Sequence, residues 1–90
     1  MLYVAFIHRD REPGLGISFP DFPGCVSTGD TANEALRRGA SALAFHIEGM
    51  LQDGEAIPAP RTLQAIKEDP SMTEWRKGAA VSFVSAVSAE

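Results

Sequence analysis

Thr31-Ala32-Asn33-Glu34 has the spacing of a helix capping box, with Asp30 as a competing cap one residue earlier. From that start Ala32, Leu36, Ala40, Leu43, Ile47 and Met50 recur at steps of four and three, and Ala35, Ala44 and Leu51 widen the stripe. The spacing predicts one long helix ending at Gln52-Asp53, where Gly54 supplies the left-handed residue that closes many helices. Gly39 and Gly49 lie inside it, each costing about 1 kcal/mol relative to alanine, which points to close packing against a sheet.

Strand signals flank the helix. Leu2-Tyr3-Val4-Ala5-Phe6-Ile7 is rich in β-branched and aromatic residues, and it stops at the charged run His8-Arg9-Asp10-Arg11-Glu12, with Pro13-Gly14 as a hairpin turn. Leu15, Ile17 and Phe19 then alternate with Gly16 and Ser18, the pattern of a strand with one buried face. Pro20 ends that strand, and Pro20-Asp21-Phe22-Pro23-Gly24 forms a rigid connector, with two fixed φ angles and one permissive glycine, to a short third strand over Cys25-Val26-Ser27-Thr28. After the helix, Ile57-Pro58-Ala59-Pro60 reads as an extended spacer. Thr62 to Lys67 and Ser71 to Arg76 read as short helical pieces, the second behind an Asp69-Pro70 cap. Ala80 to Val87 reads as a last strand, with Val81, Phe83 and Val87 on one face and Ser82, Val84 and Ala86 on the other. The order β-β-β-α-β, with short helices before the last strand, predicts an α+β two-layer sandwich in which one face of the sheet is covered by the helix. Ninety residues fit one domain, taken as 1–90.

Composition excludes several functions. With 44% hydrophobic and 22% charged residues the chain should fold. Eight basic against twelve acidic residues leave a net charge of −4, which disfavours nucleic acid as the principal ligand and favours a basic partner. The one cysteine, Cys25, has no internal disulfide partner, and no segment approaches the ~20 apolar residues of a membrane span or has the pattern of a leader; the expected compartment is the cytoplasm.

The chemical inventory is thin. His8 reads as an exposed polar residue at a strand end, His46 as a half-buried hydrogen-bonded one, and two isolated histidines make a weak case for a metal. Cys25 has no neighbouring lysine or histidine in sequence to depress its thiol pKa and reads as core. Gly14-Leu15-Gly16 lacks the downstream residues of a nucleotide loop. Asp21, held between Pro20 and Pro23, leaves two readings open, an Asx-type turn that caps its own backbone or a contact offered to a partner. No catalytic residue, metal site or cofactor is expected.

Ile17-Ser18-Phe19-Pro20-Asp21-Phe22-Pro23-Gly24-Cys25, then Thr28-Gly29-Asp30-Thr31, Glu34-Ala35-Leu36, Gly54 and Ile57-Pro58-Ala59-Pro60 resemble, in that order, the N-terminal domain of HicB-type antitoxins. The resemblance covers residues 2 to 60 and implies a partial ribonuclease-H-like or double-stranded-RNA-binding-domain-like α/β sandwich. It implies a role as well: binding and neutralising HicA, a small basic ribonuclease that cleaves messenger RNA, to which an acidic chain is suited. Many family members carry a C-terminal DNA-binding module; here the residues after Gly78 read as strand, so direct operator binding is not expected. Ribonuclease-H chemistry needs clustered carboxylates around magnesium, and none are evident. The expected toxin contacts are Phe19, Asp21, Phe22, Pro23 and Cys25, with Asp21→Ala and Phe22→Ala weakening the complex while sparing the fold. The edge strand at 80 to 87 predicts a homo-oligomer, dimer or tetramer. Two other classes compete with the antitoxin reading: a stand-alone homo-oligomeric module that binds another protein or a small ligand, and a degenerate metal-dependent nuclease.

Overall fold

A computed structural model describes residues 1–9 and 14–86. Most of the charged turn expected at 8–13, and Val87 of the expected last strand, lie outside the described residues. The strands are β1 (Leu2–His8), β2 (Leu15–Ser18), β3 (Val26–Gly29) and β4 (Ala80–Ser85). The helices are α1 (Ala32–Gln52), α2 (Leu63–Lys67) and α3 (Thr73–Arg76), with a 3₁₀ turn at Pro70–Met72 before α3. The sheet is antiparallel throughout, in the order β3-β2-β1-β4, so β3 and β4 are its edges.

Both ends of α1 form as the local sequence dictates. Thr31 Oγ1 accepts from the Glu34 backbone N–H at 3.1 Å, and the Glu34 carboxylate reaches one residue past the cap to accept from Asp30 N–H at 2.7 Å. At the other end Gly54 takes φ +75°, Glu55 N–H donates to Met50 O and Gly54 N–H to Leu51 O, the paired bonds of a Schellman closure. The buried stripe differs from the expected one. Its centre line is Ala35, Gly39 and Leu43; Leu36, Ala40, Ala42, Ile47 and Met50 flank it, and Ala32 and Leu51 are exposed. The helix is rotated toward its smallest residues because these allow the closest approach: a Cβ on Gly39 would lie 2.8 Å from Ile17 Cδ1.

β1 is buried on both faces, and its period-two alternation divides the core. Tyr3, Ala5 and Ile7 join Ile17, Phe19, Phe22, Cys25 and Val84 beneath α1. Val4 and Phe6 point the other way, where Ile66 of α2, Leu63, Met72, Trp75 and Ala79 pack on them. The indole of Trp75 meets Phe6 edge-on at 6.0 Å and donates to Ser18 Oγ at 2.8 Å, which satisfies the one buried polar residue of the sheet. The expectation of one helix-covered face is therefore corrected: α2 and α3 form a partial third layer. That layer stops short of β4. Val81 and Phe83 pair directly with Phe6 and Val4, share their face, and remain 42% and 53% exposed beside the equally uncovered Leu2.

Candidate partner-binding surface

The connector between β2 and β3 is built as two successive turns, closed by Phe22 N–H to Phe19 O and Cys25 N–H to Phe22 O, both 3.0 Å. Phe22 points inward, meeting the Tyr3 ring edge-on at 4.8 Å and the half-buried His46 ring at 5.8 Å. Asp21 also turns inward, so that its side chain is only 3% exposed. Within the chain its carboxylate is engaged by neither its own turn nor its neighbours: it accepts from the Arg61 backbone N–H at 3.0 Å and from Arg61 Nε at 2.6 Å, forty residues away. The same guanidinium donates to Asp69 Oδ2 at 3.1 Å and to Pro20 O at 3.3 Å. Arg61 thus clasps the connector to the segment between α1 and α2. The clasp is reinforced where Tyr3 O–H donates to Pro58 O at 2.5 Å.

Charge states follow from these contacts. The hydrogen bond to Asp21 raises the Arg61 pKa above its already high ordinary value, which keeps the clasp cationic. Asp69 is lowered, chiefly by the hydroxyl and backbone N–H of Ser71 and then by Arg61. Burial, with the Asp21 charge second, raises the Tyr3 phenol, and burial alone raises the Cys25 thiol, so Cys25 is a poor nucleophile.

The five residues expected to touch a partner therefore separate. Phe19, Phe22 and Cys25 are buried core and the Asp21 side chain is internal, while Pro23 stands exposed with Gly24 at the crest. Because Phe22 packs into the core in this way, Phe22→Ala should cost stability as well as any binding contact, so it does not isolate binding as the sequence suggested. Sequence reasoning missed Arg61, although it is the only lysine or arginine between Arg38 and Lys67 and follows directly on Pro60. It also missed the surface beside the crest: Val26 at 63% and Phe45 at 78% exposure stand on either side of a groove between β3 and the second half of α1. His8 is half-buried, with its ring near Phe6, rather than exposed. Among the described residues no group of three or more His, Cys, Asp or Glu comes together, and no helix is long and apolar enough to cross a membrane.

A wholly antiparallel four-stranded sheet, carrying one long helix on one face and short helices on the other, is the α+β architecture of HicB N-terminal domains. The N-terminal domain of the Burkholderia pseudomallei antitoxin HicB superposes with a TM-score of 0.74 at 26% identity, over 94% of this chain and 96% of that one. A chain of a HicA3 and HicB3 toxin–antitoxin complex superposes with a TM-score of 0.75 at 30% identity and the same two coverages. Residues 3–87 match the family described as HicB-like antitoxin of bacterial toxin–antitoxin systems, and the chain belongs to that family. Among relatives, an uncharacterized 14.9 kDa protein of Haemophilus phage HP1 is 39% identical over 83% of this chain and 56% of its own length. Antitoxin HicB 1 of Photorhabdus laumondii is 38% identical over 67% of this chain and 39% of its own. The chain thus spans about half the length, or less, of these two relatives.

Proposed function

We propose that this chain is the toxin-binding domain of an antitoxin, and that it neutralises a small, basic, HicA-type mRNA-cleaving toxin by covering its active surface. The observation that carries the reading is the match over nearly the whole chain to a HicB3 complex neighbour at 30% identity, together with the family match over residues 3–87. The net charge of −4 supports it, since opposite charge speeds encounter with a basic partner and favours one register. The crest at Pro23-Gly24, held rigid by the Arg61 clasp and by Phe22 beneath it, is the proposed contact, and preorganisation of this kind lowers the entropic cost of binding. The chain supplies no catalysis of its own in this reading and acts in the cytoplasm.

Self-association is the second part of the proposal. β4 is a sheet edge without a single charged residue from Gly78 to Ala89, and Val81 and Phe83 are exposed on it. Edge strands that stay solitary are commonly guarded by charge or proline, so an unguarded one suits pairing with a second copy. The test is co-expression with a small basic HicA-type toxin. A stoichiometric complex in which RNA cleavage is suppressed is the expected result. A toxin that stays active and unbound would leave the stand-alone oligomeric module as the surviving reading.

A further inference from the structure

The two glycines inside α1 do different things. Gly39 is demanded by Ile17, as described above, but a Cβ on Gly49 would meet nothing within 4 Å. Gly49 has helical backbone and carries the usual helix penalty of glycine, yet no contact within the chain requires it. It lines the groove beside the crest, a space of about 450 Å³ between Cys25 and Val26 on one wall and Phe45 and Met50 on the other, and its missing side chain deepens that groove. Phe45, Gly49 and Asp53 follow one another at four-residue steps, so an uncovered ring lies on one side of the hollow and a carboxylate on the other.

The charge around the groove decides what fits. From Gly39 to Pro60 there is no lysine or arginine, while Glu48, Asp53 and Glu55 lie on or just beyond the last turns of α1. Carboxylates at a helix C-terminus face the negative end of its dipole, an unfavourable arrangement that a cation relieves. None of the three is in an ion pair among the described residues. A second acidic copy of this chain would add like charge here, whereas a basic protein would not.

We infer that the groove between β3 and the second half of α1 receives one large apolar side chain of the toxin, followed directly by a lysine or arginine that pairs with Asp53 and Glu55. The identity of the occupant rests on the antitoxin reading; the chemistry of the groove does not. Two probes separate them. The ¹⁵N-labelled full chain is titrated with a short blocked peptide carrying Leu-Lys-Arg and with a counterpart carrying Leu-Glu-Glu. The basic peptide should give saturable shifts at the amides of Val26, Phe45, Gly49 and Glu55, weakening with salt, and the acidic one should bind at least about tenfold more weakly. Gly49→Leu puts a side chain into the hollow from a position where a Cβ meets nothing within 4 Å and should abolish those shifts, while Gly49→Ala, which raises Tm by removing the helix penalty, confirms that the site tolerates a side chain in the fold. Equal binding of the two peptides, or no saturable shift, overturns the groove. The second probe is a catalytically inactive HicA-type toxin. Tight toxin binding that ignores Gly49→Leu and leaves Val26 and Gly49 unshifted refutes the inference and spares the antitoxin reading. Peptide binding without any toxin complex does the reverse.

Discussion

The two faces of the sheet are covered to different depths. Under α1, the rings of Tyr3, Phe19 and Phe22 and the side chains of Ile17 and Leu43 are at most 2% exposed, in one continuous cluster. Among the described residues only Val4, Phe6 and Ile66 are fully buried hydrophobics on the other face, and the row continues outward into exposed Val81, Phe83 and Leu2. The α1 face holds the larger of the two buried clusters. The second face closes over part of the sheet and leaves apolar surface at the β4 edge, the sort of surface that binding can use.

The comparison is sharpest at the largest side chains. Phe22→Ala removes a ring that touches Tyr3 and His46 and should cost about 3–5 kcal/mol, a large part of the roughly 5–15 kcal/mol that holds a domain folded. Ile66→Ala, on the thinner face, should cost about 2–4 kcal/mol, because the short helices can settle into part of the cavity. Urea unfolding of both variants measures this directly; an Ile66→Ala loss equal to or greater than that of Phe22→Ala would remove the distinction between the faces.

The Arg61 clasp joins the two regions, since it ties the crest above the α1 core to the entry of α2. Arg61→Ala removes the counter-charge and leaves the Asp21 carboxylate, in a nearly closed site, with only the backbone N–H of residue 61, and should cost about 1.5–3 kcal/mol. Arg61→Lys should recover only part of that loss, because three nitrogens of one planar group donate to Asp21, Asp69 and Pro20 in different directions, which an ammonium cannot reproduce. Full recovery by lysine would reduce the clasp to a simple charge pair.

How far the sequence disclosed these regions follows from the range of the forces involved. The capping box, the Gly54 closure, the Asp69-Pro70 cap and the strand runs are set by neighbours within a few residues, and each formed where local chemistry put it. The partner of Asp21 lies forty residues away, so nothing near Asp21 could announce Arg61. The third layer did leave a trace. Leu2 to Ile7 is an unbroken apolar run rather than an alternating one, the pattern of a strand covered on both sides, a signal that the expectation of a single helix-covered face left unused. The motif from Ile17 to Cys25 identified the family, but not which of its side chains face outward: the inward turn of Phe22 and Asp21 depends on Tyr3, His46 and Arg61 together.

Phe83→Lys tests the uncovered end of the second face. Phe83 is half exposed on an edge strand, so the substitution should change the stability of the monomer by no more than about 0.5 kcal/mol, while a lysine on the edge opposes strand pairing. Sedimentation over a range of concentrations should find the parent chain associating and the variant monomeric. A parent that stays monomeric throughout would mean that the exposed row serves no copy of this chain.

The smallest expected effect is the acid response of the partly exposed carboxylates at the helix starts. Glu34 is lowered from its ordinary value, first by the Asp30 backbone N–H it accepts and then by the positive charges of Arg38, which lies 3.2 Å away, and Arg37; Asp69 is lowered mainly by Ser71. A carboxylate with a lowered folded pKa binds fewer protons folded than unfolded near its ordinary pKa of about 4, so its contribution is present above that pH and is lost as pH falls through the folded value. Stability should therefore be level from neutral pH down to about 5 and decline below it. Glu34→Gln and Asp69→Asn should each flatten that decline slightly, and salt should shrink the Glu34 share, because its Arg38 pair is exposed. The Arg61–Asp21 pair is shielded and should hold in the same salt, so a clasp that weakens as readily as the Glu34 pair would place Asp21 at the surface after all.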